Sequence, residues 1–269
     1  MGTDANYGYA QDGEGPAHEV VLSPYSISRH AVTNAQFAAF VEATRHRTEA
    51  EVFGWSFVFS TFLPNDFPST RGVAHSPWWR EVEGADWAHP DGPGSMIDQR
   101  LDHPAVHISW NDARAFCAWT GSRLPSEAEW EFAARGGLSQ SRFPWGEELE
   151  PHGEHRMNVF QGSFPNLNTG ADGYLGTAPV SAFPPNGYGL HQMTGNVWEW
   201  TADWFDLGYA ASPRRDPPGP ESGLTRVMRG GSYLCHASYC NRYRVDSRSS
   251  NSPDSSTGNL GFRVVRNRS

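Results

Sequence analysis

Two cysteines with four residues between them, Cys235 and Cys240, lie in Gly230-Gly-Ser-Tyr-Leu-Cys-His-Ala-Ser-Tyr-Cys-Asn-Arg-Tyr-Arg244. The chain has only 3 cysteines, so two of them sharing one short segment is a concentration of thiol chemistry. A regular strand puts positions i and i+5 on opposite faces, and a helix separates them by roughly 140°. The thiols therefore meet only if the segment turns between them, which His236-Ala-Ser238 permits. A converging pair serves as a disulfide, as a redox couple, or as a two-sulfur site for a soft metal such as Cu(I). Tetrahedral structural zinc needs four ligands, and no second Cys or His pair stands nearby at the usual spacing. His236 alone does not fill that gap. Spacing leaves the disulfide, redox and copper readings open.

Other residue groups point to hard-cation or core roles. Asn158-Val-Phe-Gln-Gly-Ser-Phe-Pro-Asn-Leu-Asn-Thr-Gly-Ala-Asp-Gly-Tyr174 interleaves Asn158, Asn166, Asn168 and Asp172 with glycines. Oxygen side chains and free carbonyls of this kind suit Ca²⁺, and equally a run of Asx turns; the EF-hand pattern is absent. Gln192-Met-Thr-Gly-Asn-Val-Trp-Glu199 offers a second amide and carboxylate with the same two readings. His103 and His107 share a face if their segment is a strand, where satisfied core histidines are the expected outcome. Cys117, in Ala115-Phe-Cys-Ala-Trp119, reads as a buried free thiol on an apolar helix.

These residues need a scaffold, and composition bounds it. The 269 residues are 38% hydrophobic and 13% aromatic, with 28 Gly, 20 Pro and 11 Trp. That describes a loop-rich domain with a large-aromatic core, neither a helical bundle nor a disordered chain. The net charge of −9 comes with no basic stripe, so nucleic acid is not the expected partner. No apolar run approaches the ~20 residues that span a bilayer. The polar start, Met1-Gly-Thr-Asp-Ala-Asn6, lacks the apolar stretch of a signal peptide, and cytoplasmic residence is the simplest reading. No self-association motif stands out, which gives a monomer as the expectation.

Along the chain, His18–Ile27 reads as a strand. Thr33 caps a helix through Ala43, on which Phe37, Phe40 and Val41 recur at helical spacing. Residues 50–102 show little periodicity and read as ordered, aromatic-rich loop. A strand at His103–Trp110 leads to a helix over Ala113–Trp119 ended by Gly121. Ser126-Glu-Ala-Glu129 is a capping box opening a helix through Arg135, stopped by Gly136-Gly137. Short strands are expected at Val180–Phe183, Asn196–Thr201, Arg226–Arg229 and Leu260–Arg266. The run Asp246–Asn259 is either a flexible linker or a polar wall of the cysteine site. The expectation is an α+β fold low in regular secondary structure, forming a single domain over 1–269.

Asn186-Gly-Tyr-Gly-Leu190, Gly195-Asn-Val-Trp-Glu-Trp200, Arg229-Gly-Gly-Ser232 and Gly261-Phe-Arg263 resemble the sulfatase-modifying-factor superfamily, which has a variant C-type-lectin-like fold. Within it, the Cys-x4-Cys segment with its flanks, followed by Asn251-Ser-Pro-Asp-Ser-Ser256 and Asn259-Leu-Gly-Phe-Arg263, is similar to the formylglycine-generating enzymes. The resemblance runs from about residue 1 to 266. It implies an oxidase that uses O2, Cu(I) and a thiol reductant to convert the cysteine of an unfolded sulfatase's Cys-x-Pro-x-Arg motif to formylglycine. Cys235 and Cys240 would be copper ligands, with Ser232, Trp198 and Tyr239 lining the oxygen and thiol pocket. Arg244 and Asn259 would lie in the substrate groove. One structural calcium would take Asn158, Asp172 and the carbonyls of Val159 and Tyr174. A second would take Gln192, Gly195, Val197 and Glu199, where Gln192 replaces the usual asparagine.

The chain also departs from the family pattern. Many relatives pair a cysteine at the position of Cys117 with one at the position of Val264, so that staple is missing here. Met157 and Val245 also stand where some relatives have cysteine, and Val245-Asp246-Ser247 replaces an Ala-rich stretch. A rival enzyme on this fold, an iron-dependent sulfoxide synthase, needs an added helical domain bringing three histidines, which nothing here supplies. A non-catalytic rival is a lectin-like peptide-binding module with a Cys235–Cys240 disulfide.

Overall fold

Four helices begin with the same local device. Thr33, Thr48, Ser109 and Ser126 each accept the N3 backbone N–H, while the side chain at N3 (Gln36, Glu51, Asp112 or Glu129) reaches back to the cap N–H. These reciprocal bonds satisfy two donors that a helix start otherwise leaves open. The helices are α1 (Asn34–Thr44), α2 (Glu49–Phe53), α3 (Trp110–Thr120) and α4 (Glu127–Arg135), and each ends on a left-handed residue. The expected starts at Thr33 and Ser126, and the stops at Gly121 and Gly136, are where the chain has them. The computed structural model describes residues 1–209 and 214–268.

The central sheet has four strands in the order 248–251, 226–229, 198–204, 260–262. The first two pairings are antiparallel, while Leu260–Phe262 runs parallel to Trp198–Trp204. Trp200 is fully buried, and its indole N–H donates to the Ile108 carbonyl. Phe37, Phe116 and Phe262 pack edge-to-face and stacked beneath the sheet, at centroid separations of 5.3–6.5 Å. This aromatic core joins α1 and α3 to the strand Leu260–Phe262, which runs beside the strand that carries Trp198.

Several sequence expectations give way to tertiary context. Residues 50–102 hold α2 and a three-stranded sheet of Trp55–Phe59, Ser76–Glu83 and Gly72–Val73. Aromatics on both of its faces hide the period-2 pattern. The strand expected at His103–Trp110 does not form, because His107 is left-handed (φ 57°). Its fully buried ring donates from Nε2 to the Pro90 carbonyl and meets the Ser56 hydroxyl at Nδ1, each at 2.8 Å, so it is a satisfied core histidine. Val180–Phe183 is a turn. The strand expected over Leu260–Arg266 divides into Leu260–Phe262 and Val265–Asn267, and the latter pairs with Tyr25–Ile27. Between them Arg263 turns inward.

Three fully buried arginines tie the irregular chain together. Arg229 pairs with Glu127 and Glu131, Arg244 with Glu14 and Asp246, and Arg263 with Glu199, all at 2.6–2.9 Å. Local capping adds to this. Ser126→Ala is expected to lower stability by about 1 kcal/mol, since it leaves the Glu129 N–H at the start of α4 without its side-chain acceptor. Urea unfolding checks this, and an unchanged midpoint would contradict it.

Candidate active site

The strand Arg226–Arg229 delivers the chain to Gly230 and Gly231, both left-handed (φ 94° and 71°). A Cβ on Gly231 would lie 2.8 Å from the Arg242 carbonyl oxygen, so glycine permits the two ends of the cysteine segment to cross. Beyond them the Cys235 N–H donates to the Ser232 carbonyl, and the Tyr239 and Cys240 N–H groups both donate to that of His236. The chain turns as the sequence required, and Cys235 Sγ comes to 2.8 Å from Cys240 Sγ. That gap exceeds the ~2.04 Å of a disulfide, and both sulfurs are buried free thiols.

Hydrogen bonding and burial divide the roles of the two thiols. Burial, together with donation to Cys240, pushes Cys235 well above the usual thiol range. Cys240 accepts that hydrogen bond and also faces the Arg242 guanidinium, and together these hold its thiol below the usual value against the effect of burial. Cys240 is therefore the more acidic of the two thiols. A thiolate is the form that attacks or ligates.

A cavity of about 170 Å³ opens over the sulfurs. It brings together Trp198, Ser232, Cys235, Tyr239, Cys240 and Asn259, all expected at the site. The Asn259 amide donates to Ser232 Oγ at 2.8 Å, and Ser232 also accepts the Leu234 N–H. Tyr239 stacks on Phe164 at 4.4 Å and meets the edge of Trp78 at 4.7 Å. The run Asp246–Asn259 contributes Ser249, Asn251 and Thr257 to the lining, which makes it a polar wall and not a linker.

Arg244 is a correction. It does not line the cavity; its guanidinium is fully buried, bidentate on Glu14 and bonded to Asp246 Oδ1. Such a cation is a structural tie with no free edge for a substrate.

The first oxygen-rich loop fits a hard cation. Asp172 accepts the Val159 and Tyr174 N–H groups at 3.0 and 3.1 Å, and burial raises its carboxyl above the usual value. The Asn158 amide donates to the Gly176 carbonyl and to Asn196, which leaves Asn158 Oδ1 buried without a partner. An unsatisfied buried oxygen beside a carboxylate is the donor pattern Ca²⁺ requires. The second set, Gln192, Gly195, Val197 and Glu199, differs. Gln192 Oε1 is likewise unpartnered, but both Glu199 oxygens are held by Arg263 at 2.6 and 2.7 Å, and Oε2 also accepts from Trp130. Its one carboxylate is already compensated, so the set does not fit a second divalent ion. Among the described residues no group of three or more His, Cys, Asp or Glu is placed to hold a metal ion.

The sulfatase-modifying factor enzyme 1-like domain matches residues 1–268. The formylglycine-generating enzyme of Thermomonospora curvata is 57% identical across 98% of this chain and 89% of its own length. The chain belongs to this family. A bovine relative named inactive C-alpha-formylglycine-generating enzyme 2 is 48% identical across 98% of the chain and 84% of its own, so family membership alone does not establish activity. The fold agrees with the α+β, C-type-lectin-like expectation. PvdO from Pseudomonas aeruginosa superposes with a TM-score of 0.71 at 27% identity, covering 100% of this chain and 90% of that one.

The family's sequence pattern did not draw attention to Arg242, Trp78 or Trp79, all of which line the cavity. Arg242 stands in plain view two residues past Cys240, but its carboxylate partner, Asp12, is 230 residues away. The tryptophans arrive on the three-stranded sheet, whose existence the sequence did not reveal.

Proposed function

We propose that this chain is an oxidase that converts the cysteine of a sulfatase Cys-x-Pro-x-Arg motif to formylglycine, with Cu(I) held by Cys235 and Cys240. The observation that carries the reading is the pair of buried free thiols, 2.8 Å apart, at the floor of a cavity. The formylglycine-generating relative at 57% identity supports the substrate class. Two soft sulfurs side by side suit Cu(I), which when bound would supply electron transfer to O2 and a position for a third sulfur.

The residues provide the rest. Cys240, the more acidic thiol, and Cys235 would form the metal cradle, each giving up its proton on ligation. Ser232 and Asn259 fix the polar side of the cavity through their mutual hydrogen bond. Trp198 and Trp78 close the apolar side and exclude water from the reacting sulfur. In the balanced reaction the substrate thiol, one O2 and two reducing thiols yield the aldehyde, hydrogen sulfide, water and one disulfide. A Cβ–H and the Cβ–S bond break, a C=O bond forms, and the reducing thiols are oxidised. We place the protein in the reducing cytoplasm, acting as a monomer on unfolded sulfatase chains. Its three unpaired thiols accord with that setting. No helix among the described residues is long and apolar enough to cross a membrane.

Co-expression with a reporter carrying the motif tests the reading. An aldehyde should appear on the reporter and be absent when its cysteine is serine; an unmodified reporter beside soluble enzyme would contradict it.

Calcium at Asn158 and Asp172 is the second part of the proposal. An ion that binds only the folded state at a hundredfold excess over Kd stabilises by about 2.7 kcal/mol. Chelation should therefore lower the melting temperature of the wild-type protein, while Asn158→Ala should melt alike with and without chelator. A wild-type melt unmoved by chelation would remove calcium from the account.

A further inference from the structure

A cation faces the thiol pair from within the cavity wall. Arg242 Nη1 lies 3.9 Å from Cys240 Sγ. The opposite edge of the guanidinium is fixed, since Nε and Nη2 donate to the two Asp12 oxygens at 2.5 and 3.1 Å. Its plane also lies 4.2 Å from the Tyr9 ring centroid. Asp12 is itself buried, at the end of the single turn Ala10–Asp12. The same N-terminal segment grips the cysteine loop elsewhere, because the Asn241 amide donates to the Tyr7 carbonyl and Glu14 pairs with Arg244. Asp12 sits on the far edge, so Cys240 meets the positive end of the pair.

This arrangement matters for a charged site. Two thiolates with one Cu(I) carry a net charge of minus one, and an anion on buried sulfurs is unfavourable unless a cation or donor compensates it. Charge-assisted donors held in a fixed geometry are the stronger kind. We infer that Arg242, held by Asp12, is a positioning residue that stabilises the anionic two-sulfur form of the site and so sets its affinity for Cu(I). The inference rests on the copper reading above and adds a determinant that the cysteines do not contain.

Cu(I) affinity, measured on the whole chain by competition with a chromogenic Cu(I) chelator, tests it without recourse to turnover. Loss of an outer partner typically costs about 10–100-fold in metal affinity, and Arg242→Gln is expected in that range. Arg242→Lys, which keeps the charge, should recover part of the loss. Asp12→Asn, which keeps Arg242 but loosens it, should weaken binding by a smaller factor. Melting curves establish that each variant is folded, and if Arg242→Gln is not, Asp12→Asn decides. Folded variants that bind Cu(I) as the wild type does would overturn the role of Arg242 and leave the copper site standing. A wild-type chain with no Cu(I) affinity would overturn both.

Discussion

Cys240→Ser is expected to lower Cu(I) affinity by roughly three orders of magnitude, beyond the 10–100-fold that an outer partner is worth, and to abolish turnover. The reason is chemical. A hydroxyl is a hard, neutral ligand, and Cu(I) selects soft thiolate. Cys240 is the more acidic member of the pair, because it accepts the Cys235 hydrogen bond and faces Arg242. Its loss leaves Cys235 as a buried thiol that burial keeps protonated at neutral pH. The fold should survive, since serine is smaller than cysteine and the substitution removes one sulfur from a large aromatic cluster. Chelator competition and a thermal melt on the same preparation check both statements. A folded Cys240→Ser protein that keeps wild-type copper affinity would contradict the ligand assignment.

The second large effect is on stability. Arg229→Met is expected to destabilise the chain by about 3–5 kcal/mol, the cost of breaking a buried pair from one side. Arg229 is fully buried and bonds Glu127 at 2.9 Å, Glu131 at 2.6 Å and the Val245 carbonyl at 2.9 Å. Methionine fills much of the volume but leaves two carboxylates with less compensation. The effect reaches the site, because Arg229 is the last residue of the strand that leads through Gly230 and Gly231 to Ser232.

The pH dependence follows from Glu131. Burial alone would raise its carboxyl, but Arg229, Arg135 and the N-terminus together hold it down to about 2, against an ordinary value of 4.5. A depressed folded-state value contributes stability that is complete above about pH 4.5 and is lost as pH falls toward 2. Arg229→Met raises that folded-state value, so its acid-side loss should be shallower than the wild type's. Urea midpoints at pH 7 and between pH 3 and 5 measure both. A variant as stable as the wild type at pH 7 would show that the network does not hold the strand.

What the sequence made legible was mostly local. The N-cap at Thr33 and the capping box at Ser126 declare themselves locally, the latter through a partner three residues on, and Gly121 and Gly136 mark the stops that only a left-handed residue makes easily. The thiol site was legible for the same reason: Cys235 and Cys240 are joined by one turn, and glycine at 231 has a stated steric cause. The hidden parts depend on distant chain. His107 interrupts an apparent strand because its ring satisfies Pro90 and Ser56, and nothing in the 103–110 pattern announces that. Arg244 looked like a groove residue until Glu14 was seen to neutralise it, and Arg242 acquires its orientation from Asp12. The Glu199–Arg263 pair likewise decides against the second calcium set, though each residue sits in a motif quoted for the family.

Stepwise reconstitution of the copper-free protein tests the central claim most directly. Turnover of a Cys-x-Pro-x-Arg peptide would be followed by mass spectrometry in air with a thiol reductant, as Cu(I) is added. The account predicts aldehyde product whose rate rises with added copper and saturates at one ion per chain. Folded protein fully loaded with Cu(I) that forms no aldehyde, or a rate indifferent to copper, would contradict it.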